Sequence, residues 1–127
     1  MLIRMAEVVI CGYARSAFTP AKKGQLRKTR PDDLAAEVIK GLLEKTGVKK
    51  EDVEDLILGC AFPEAEQGMN LARNVVFLTG LPKSVGGVTV NRFCASSMQA
   101  INQAAGTIHS GAGDLFIAGG VESMSRV

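Results

Sequence analysis

Two rhythms of apolar and polar residues alternate along this chain. Short unbroken apolar blocks stand at Val8-Val9-Ile10-Cys11, at Leu56-Ile57-Leu58-Gly59-Cys60-Ala61 and at Leu115-Phe116-Ile117. Such blocks suit strands covered on both faces. With Val88 and Val90, they predict strands over 7–14, 56–61, 88–90 and 114–119. Between them, apolar residues recur at helical spacing. Leu34, Ala35, Val38, Ile39, Leu42 and Leu43 are separated by Glu37, Lys40 and Glu44, so this helix has one wet face. Thr29 with Asp32 reads as a capping box with Pro31 in the first turn, and Gly47 ends the helix. A second helix runs over 70–79 through Leu71, Val75 and Leu78 and is closed by Gly80. A third runs over 95–109 and is closed by Gly111. The order strand, helix, strand, helix, strand, helix, strand predicts one α/β domain over 1–127, a mainly parallel sheet with helices on both faces and right-handed crossovers.

The third helix differs from the others. Cys94, Ser97, Met98, Ile101, Ala104, Ala105 and Ile108 fall on one face, and the remaining positions include no charged side chain. Across the whole chain, 22% of residues are charged. A helix that shows water no charge on any face is expected to be enclosed, so a further layer from outside this chain is predicted to cover it.

Cys94 sits where the strand at 88–90 hands over to that helix. Free amide N–H groups and the macrodipole at a helix start favour an anion, and helix N-termini lower the pKa of a thiol from its usual value of about 8.5. Two readings fit: a nucleophile, or a small core residue that ends a strand. The only histidine, His109, closes the same helix, on the order of 22 Å from Cys94 at about 1.5 Å per residue. It cannot serve Cys94 as a base within one chain and reads as a favourable charge at the helix C-terminus. The base is therefore a carboxylate or comes from elsewhere.

Composition narrows the field. The chain has 127 residues, 46% of them hydrophobic, with a net charge of +2. That is enough for a real core and argues for no particular acidic or basic partner. No apolar run reaches membrane-spanning length, and the start Met1-Leu2-Ile3-Arg4-Met5 lacks a signal-peptide core, so a soluble, reducing, cytoplasmic setting without a membrane partner is expected. Cys11, Cys60 and Cys94 are odd in number and lack metal-ligand spacing, so free thiols and no metal are expected. Lys22, Lys23, Arg27, Lys28 and Arg30 form a basic run without interleaved aromatics, read as a solvated loop with a phosphate-bearing ligand as the alternative, and no nucleic acid is expected. The first strand is followed by Gly12-Tyr13-Ala14-Arg15 rather than a dinucleotide fingerprint, and no phosphate-loop motif occurs.

Val90-Asn91-Arg92-Phe93-Cys94-Ala95-Ser96-Ser97-Met98-Gln99-Ala100 closely resembles the nucleophile segment of the thiolases, which make or cleave 3-ketoacyl-CoA. Ala118-Gly119-Gly120-Val121-Glu122-Ser123-Met124-Ser125 resembles the family's segment after its fourth strand. Glu66-Gln67-Gly68-Met69-Asn70-Leu71-Ala72-Arg73-Asn74 is similar to a helix entry seen especially in degradative, 3-ketoacyl-CoA-type members. The chain departs from the family at Arg15-Ser16-Ala17, where Arg-Thr-Pro is common, and at Ala95, where glycine or serine is common.

The resemblance implies the N-terminal half of a thiolase fold, through its first four strands to the edge of a loop domain. It implies a second α/β half that would cover the Cys94 helix and supply a histidine and a second cysteine. By that resemblance Cys94 would carry the acyl group as a thioester, with its own N–H helping to form an oxyanion hole. The implied substrates are coenzyme A and acyl-CoA thioesters, with no tightly bound cofactor, and the implied setting is fatty acid metabolism. A homodimer or homotetramer joined through about Gly87 to Asn91 is also implied. Asn91 and Glu122 are read as bracing loops near the site rather than doing chemistry. A β-ketoacyl synthase of the same fold is the enzyme alternative, and a catalytically silent fragment or assembly module is the non-enzyme one.

Overall fold

Three parallel strands make the centre of the molecule. The computed structural model describes residues 7–127, so the start read above for a signal peptide lies outside the described residues. Strands β1 (Asp55–Gly59), β2 (Val88–Val90) and β3 (Phe116–Gly120) form one sheet in the order β2-β1-β3. β1 pairs in parallel with both neighbours, and Gly59 stands opposite Val90 on one side and Gly120 on the other. Leu56, Ile57, Leu58 and Cys60 are buried, as an unbroken apolar block in a central strand requires.

Helices α1 (Pro31–Thr46) and α2 (Leu71–Thr79) cover one face of the sheet, and α3 (Ser96–His109) covers the other. The larger core joins Leu56, Leu58 and Ile117 to Ala35, Ala36, Ile39 and Leu43 of α1 and to Leu71, Ala72, Val75 and Val76 of α2. Each fully buried aliphatic side chain there contributes roughly 1.5–3 kcal/mol relative to exposure. Gly47 and Gly80 end α1 and α2 in the left-handed conformation, at φ of 70° and 73°. Asn70 starts α2. Its side chain accepts from the Arg73 N–H and donates to the Gly87 carbonyl at 2.7 Å, tying α2 to the entry of β2.

Three expectations change. The helix α1 is not capped by Thr29. Pro31 holds the preceding residue extended, so Arg30 is the cap, and Asp32 turns to that arginine at 2.8–3.0 Å instead of closing a capping box. In α3 the buried positions are Ser96, Ala100 and Ala104, while Cys94, Met98 and Ile101 of the expected packing face are exposed. Small residues four apart form the strip that fits closest to the sheet, which turns the bulkier apolar residues outward. The outer side of α3 is therefore open.

The third change concerns 7–14, expected as the first strand, which lies in no strand. An apolar run becomes a strand only by pairing, and a cavity of about 400 Å³ separates this segment from β3 and α3. The segment leans on the end of α1, where the Lys45 ammonium donates to the Tyr13 carbonyl, and Val9, Ile10 and Tyr13 are exposed.

Candidate active site

The carboxyl ends of the three parallel strands converge on one edge, where open α/β sheets commonly place their sites. Beyond β1 lies Cys60-Ala61-Phe62, beyond β2 lies Asn91 to Cys94, and beyond β3 lies Val121-Glu122. Two glycines let α3 descend onto this edge. A Cβ on Gly59 would stand 2.4 Å from the carbonyl carbon of Ser96, and one on Gly120 would overlap the Ser97 hydroxyl. Backbone thus meets backbone, and the start of α3 rests on the sheet.

Cys94 is exposed and lies two residues before α3, at the handover from β2 to the helix. The turn that presents it is unusual at Phe93, a non-glycine residue with φ of 50°. Left-handed backbone at such a residue costs on the order of 1–3 kcal/mol and persists only where surrounding bonds fix it. Those bonds are present. The Phe93 N–H donates to Asn91 Oδ1 at 2.8 Å, the Ser96 hydroxyl donates to the Phe93 carbonyl at 2.6 Å, and Ser96 Oγ accepts from the Arg92 N–H at 2.8 Å.

A second set of bonds ties this turn to the other two strand ends. Asn91 Nδ2 donates to the Ala61 carbonyl at 3.0 Å. The Glu122 carboxylate accepts from the Ala61 N–H at 2.6 Å, from the Phe62 N–H at 3.3 Å and from Gln67 Nε2 at 2.7 Å. Gln67, wholly buried, also donates to the Phe62 carbonyl and accepts from the Ser123 N–H. The sequence reading of Asn91 and Glu122 as braces fits these bonds. No role for Gln67 was legible in the sequence: of the partners its burial requires, Phe62 is near, but Glu122 and Ser123 lie 55 and 56 residues away.

Cys60 Sγ lies 3.7 Å from Glu122 Oε1. Burial, with the negative Glu122 beside it, pushes the Cys60 thiol up to about 11. It is a buried core thiol, as its place at the end of the apolar block of β1 suggests. His109 ends α3, at the opposite end from Cys94 of a helix of 14 residues, which is about 20 Å long. Among the described residues there is no cluster of side chains that would hold a metal ion. No helix among them is long and apolar enough to cross a membrane. Glu66, part of the same loop as Gln67, takes up Arg126 and Arg30, and Arg30 in turn holds Asp32. These charges pin the 64–67 loop and the 123–126 turn to the start of α1.

The fold and this edge define a parallel α/β protein that presents an accessible thiol on a braced strand-to-helix turn. The family described as thiolase, N-terminal domain, matches residues 8–127, and the chain belongs to the thiolase family. It is 52% identical over 123 residues to a 3-ketoacyl-CoA thiolase of Bacillus subtilis, covering 97% of this chain and 32% of that protein. A 3-ketoacyl-CoA thiolase of Psychrobacter arcticus is 48% identical over 121 residues, which are 95% of this chain and 31% of that protein. The crystal structure of the Bacillus anthracis acetyl-CoA acetyltransferase superposes with a TM-score of 0.87 at 35% identity, over 96% of this chain and 30% of that one. The chain thus spans about a third of the length of these relatives.

Proposed function

We propose that this chain is the nucleophile-bearing part of a thiolase acting on 3-ketoacyl-CoA, with Cys94 as the acyl carrier. The observation that carries the reading is the accessible Cys94 thiol on a turn braced by Asn91 and Ser96, in a chain about half identical to proteins named 3-ketoacyl-CoA thiolase. In the cleavage direction, the Cys94 thiolate adds to the 3-keto carbonyl carbon. The C2–C3 bond breaks, C2 takes a proton and leaves as acetyl-CoA, and the acyl group remains on Sγ as a thioester. The thiol of a second coenzyme A gives up its proton and attacks that thioester. The products are the shortened acyl-CoA and a free Cys94. The oxyanion formed in each addition needs N–H donors, for which the Cys94 amide at the start of α3 is a candidate.

The protons need a base that His109 is too distant to be, and the Glu122 carboxylate on this edge is taken up by Ala61, Phe62 and Gln67, so the reading places the base in a part of the relatives' length that this chain does not span. The open outer side of α3 supports an assembly in which a further α/β layer covers that helix. The edge strand β2 supports pairing of two subunits through about Gly87 to Asn91. The test is loss of 3-ketoacyl-CoA on addition of coenzyme A, followed by absorbance. The 127-residue chain by itself is expected to turn over negligibly, and the polypeptide completed by the remaining two thirds of a thiolase is expected to turn over rapidly. Robust turnover by the 127-residue chain alone, or full activity in Cys94→Ala, contradicts the reading.

A further inference from the structure

Phe93 is the residue whose backbone aims Cys94, and both of its polar backbone groups are held by side chains. Ser96, which holds the carbonyl, belongs to α3 and moves with it. Asn91, which holds the N–H, is different because its other end leaves the turn. Its Nδ2 reaches the Ala61 carbonyl beyond β1, and that loop is fixed from the third strand end by Glu122. Asn91 is therefore the side chain through which a rigid, multiply bonded loop sets the left-handed φ of the residue before the nucleophile.

We propose that Asn91 is a positioning residue for Cys94, with the Glu122-anchored 61–62 loop as its fixed point. This rests on the reading of Cys94 as the nucleophile. Asn91 touches no reacting atom in this scheme. Its amide carries two functions that substitution can separate. Aspartate keeps an acceptor for the Phe93 N–H and loses the donor to Ala61, and alanine loses both. A side chain that only adds stability would change the melting temperature without changing the rate at which a bound acyl group reaches Sγ.

The experiment measures single-turnover acylation of Cys94 by an acyl-CoA, quenched in acid and read by peptide mass. Steady-state kcat and KM are measured beside it, in the completed thiolase with and without Asn91→Ala and Asn91→Asp. An ångström of misplacement at a reacting group costs on the order of a hundredfold, so Asn91→Ala is expected to lower the acylation rate and kcat by tenfold to a hundredfold with KM little changed. Asn91→Asp is expected to fall between it and the native protein, and it carries the test if the alanine variant fails to fold. Native acylation rates in both variants, or a loss expressed wholly in KM, overturn the proposal while leaving Cys94 as nucleophile. Absence of acyl-Cys94 in the native protein overturns the nucleophile reading, and the positioning role falls with it.

Discussion

Replacing Gly59 by alanine tests whether α3 rests on the sheet as described. The added Cβ would stand 2.4 Å from Ser96 C and 2.5 Å from Ser97 N, both backbone atoms. Ordinary carbon contacts lie near 3.5–4.0 Å, so the start of α3 must lift by about 1 Å. No rotamer change relieves a clash between backbone and Cβ. Overpacking of this kind costs typically 1–3 kcal/mol, which at a urea dependence of 1–3 kcal/mol per molar moves the midpoint by about 1 M. The same lift moves Cys94, so its acylation is expected to slow by on the order of a hundredfold. Gly41→Ala is the control: Gly41 lies inside α1 with nothing within 4 Å of an added Cβ. That exchange is expected to raise stability by roughly 0.5–1 kcal/mol through helix propensity alone. Urea unfolding and quenched acylation read both effects. An unchanged midpoint and an unchanged acylation rate in Gly59→Ala would refute the contact between α3 and the end of β1.

Other outcomes follow from the charges and thiols. Cys94 is expected to react with iodoacetamide before Cys60, whose buried thiol, held up to about 11, stays protonated through neutral pH; peptide mapping that finds Cys60 alkylated first in the folded protein contradicts this. At Asp32, burial favours the neutral acid, but the Arg30 guanidinium and the Asp33 N–H outweigh it and hold the carboxyl below its usual value near 4. A carboxylate with a depressed folded-state pKa stabilises above the unfolded value and loses that contribution as pH falls through the folded one. Asp32→Asn is therefore expected to be less stable than the native protein at pH 7 and to approach it in acid, and a stability gap that persists after Asp32 has protonated would contradict this.

Much of the fold was legible from spacing. The block at 56–61, the pair Val88 and Val90, and the block at 114–119 fall on β1, β2 and β3, and Gly47 and Gly80 end their helices as left-handed residues should. Local pattern failed where a partner decides the structure. Val8 to Cys11 has a strand's composition, but among the described residues it pairs with no strand, and a cavity lies between it and β3. In α3 the weak contrast among Ala, Ser, Met and Ile left the phase open, and Ala100, which packs against the sheet, was missing from the expected face. The handover from β2 to α3 at Cys94 was legible because a strand pattern there gives way to a helical one within a few residues. The brace that joins Gln67 and Glu122 carries none, since its bonds span loops 55 residues apart and exist only after the sheet has formed.

Whether Cys94 Sγ carries the acyl group is read directly by acid-quench trapping of the acylated protein. The completed thiolase is mixed with an acyl-CoA in the absence of acceptor, stopped within one turnover, digested and mapped by mass. One acyl group is expected, on the peptide that contains Cys94, discharged when coenzyme A is added before the quench. An acyl group on Cys60, Cys11 or a serine, or turnover with Cys94 replaced by alanine, would contradict it.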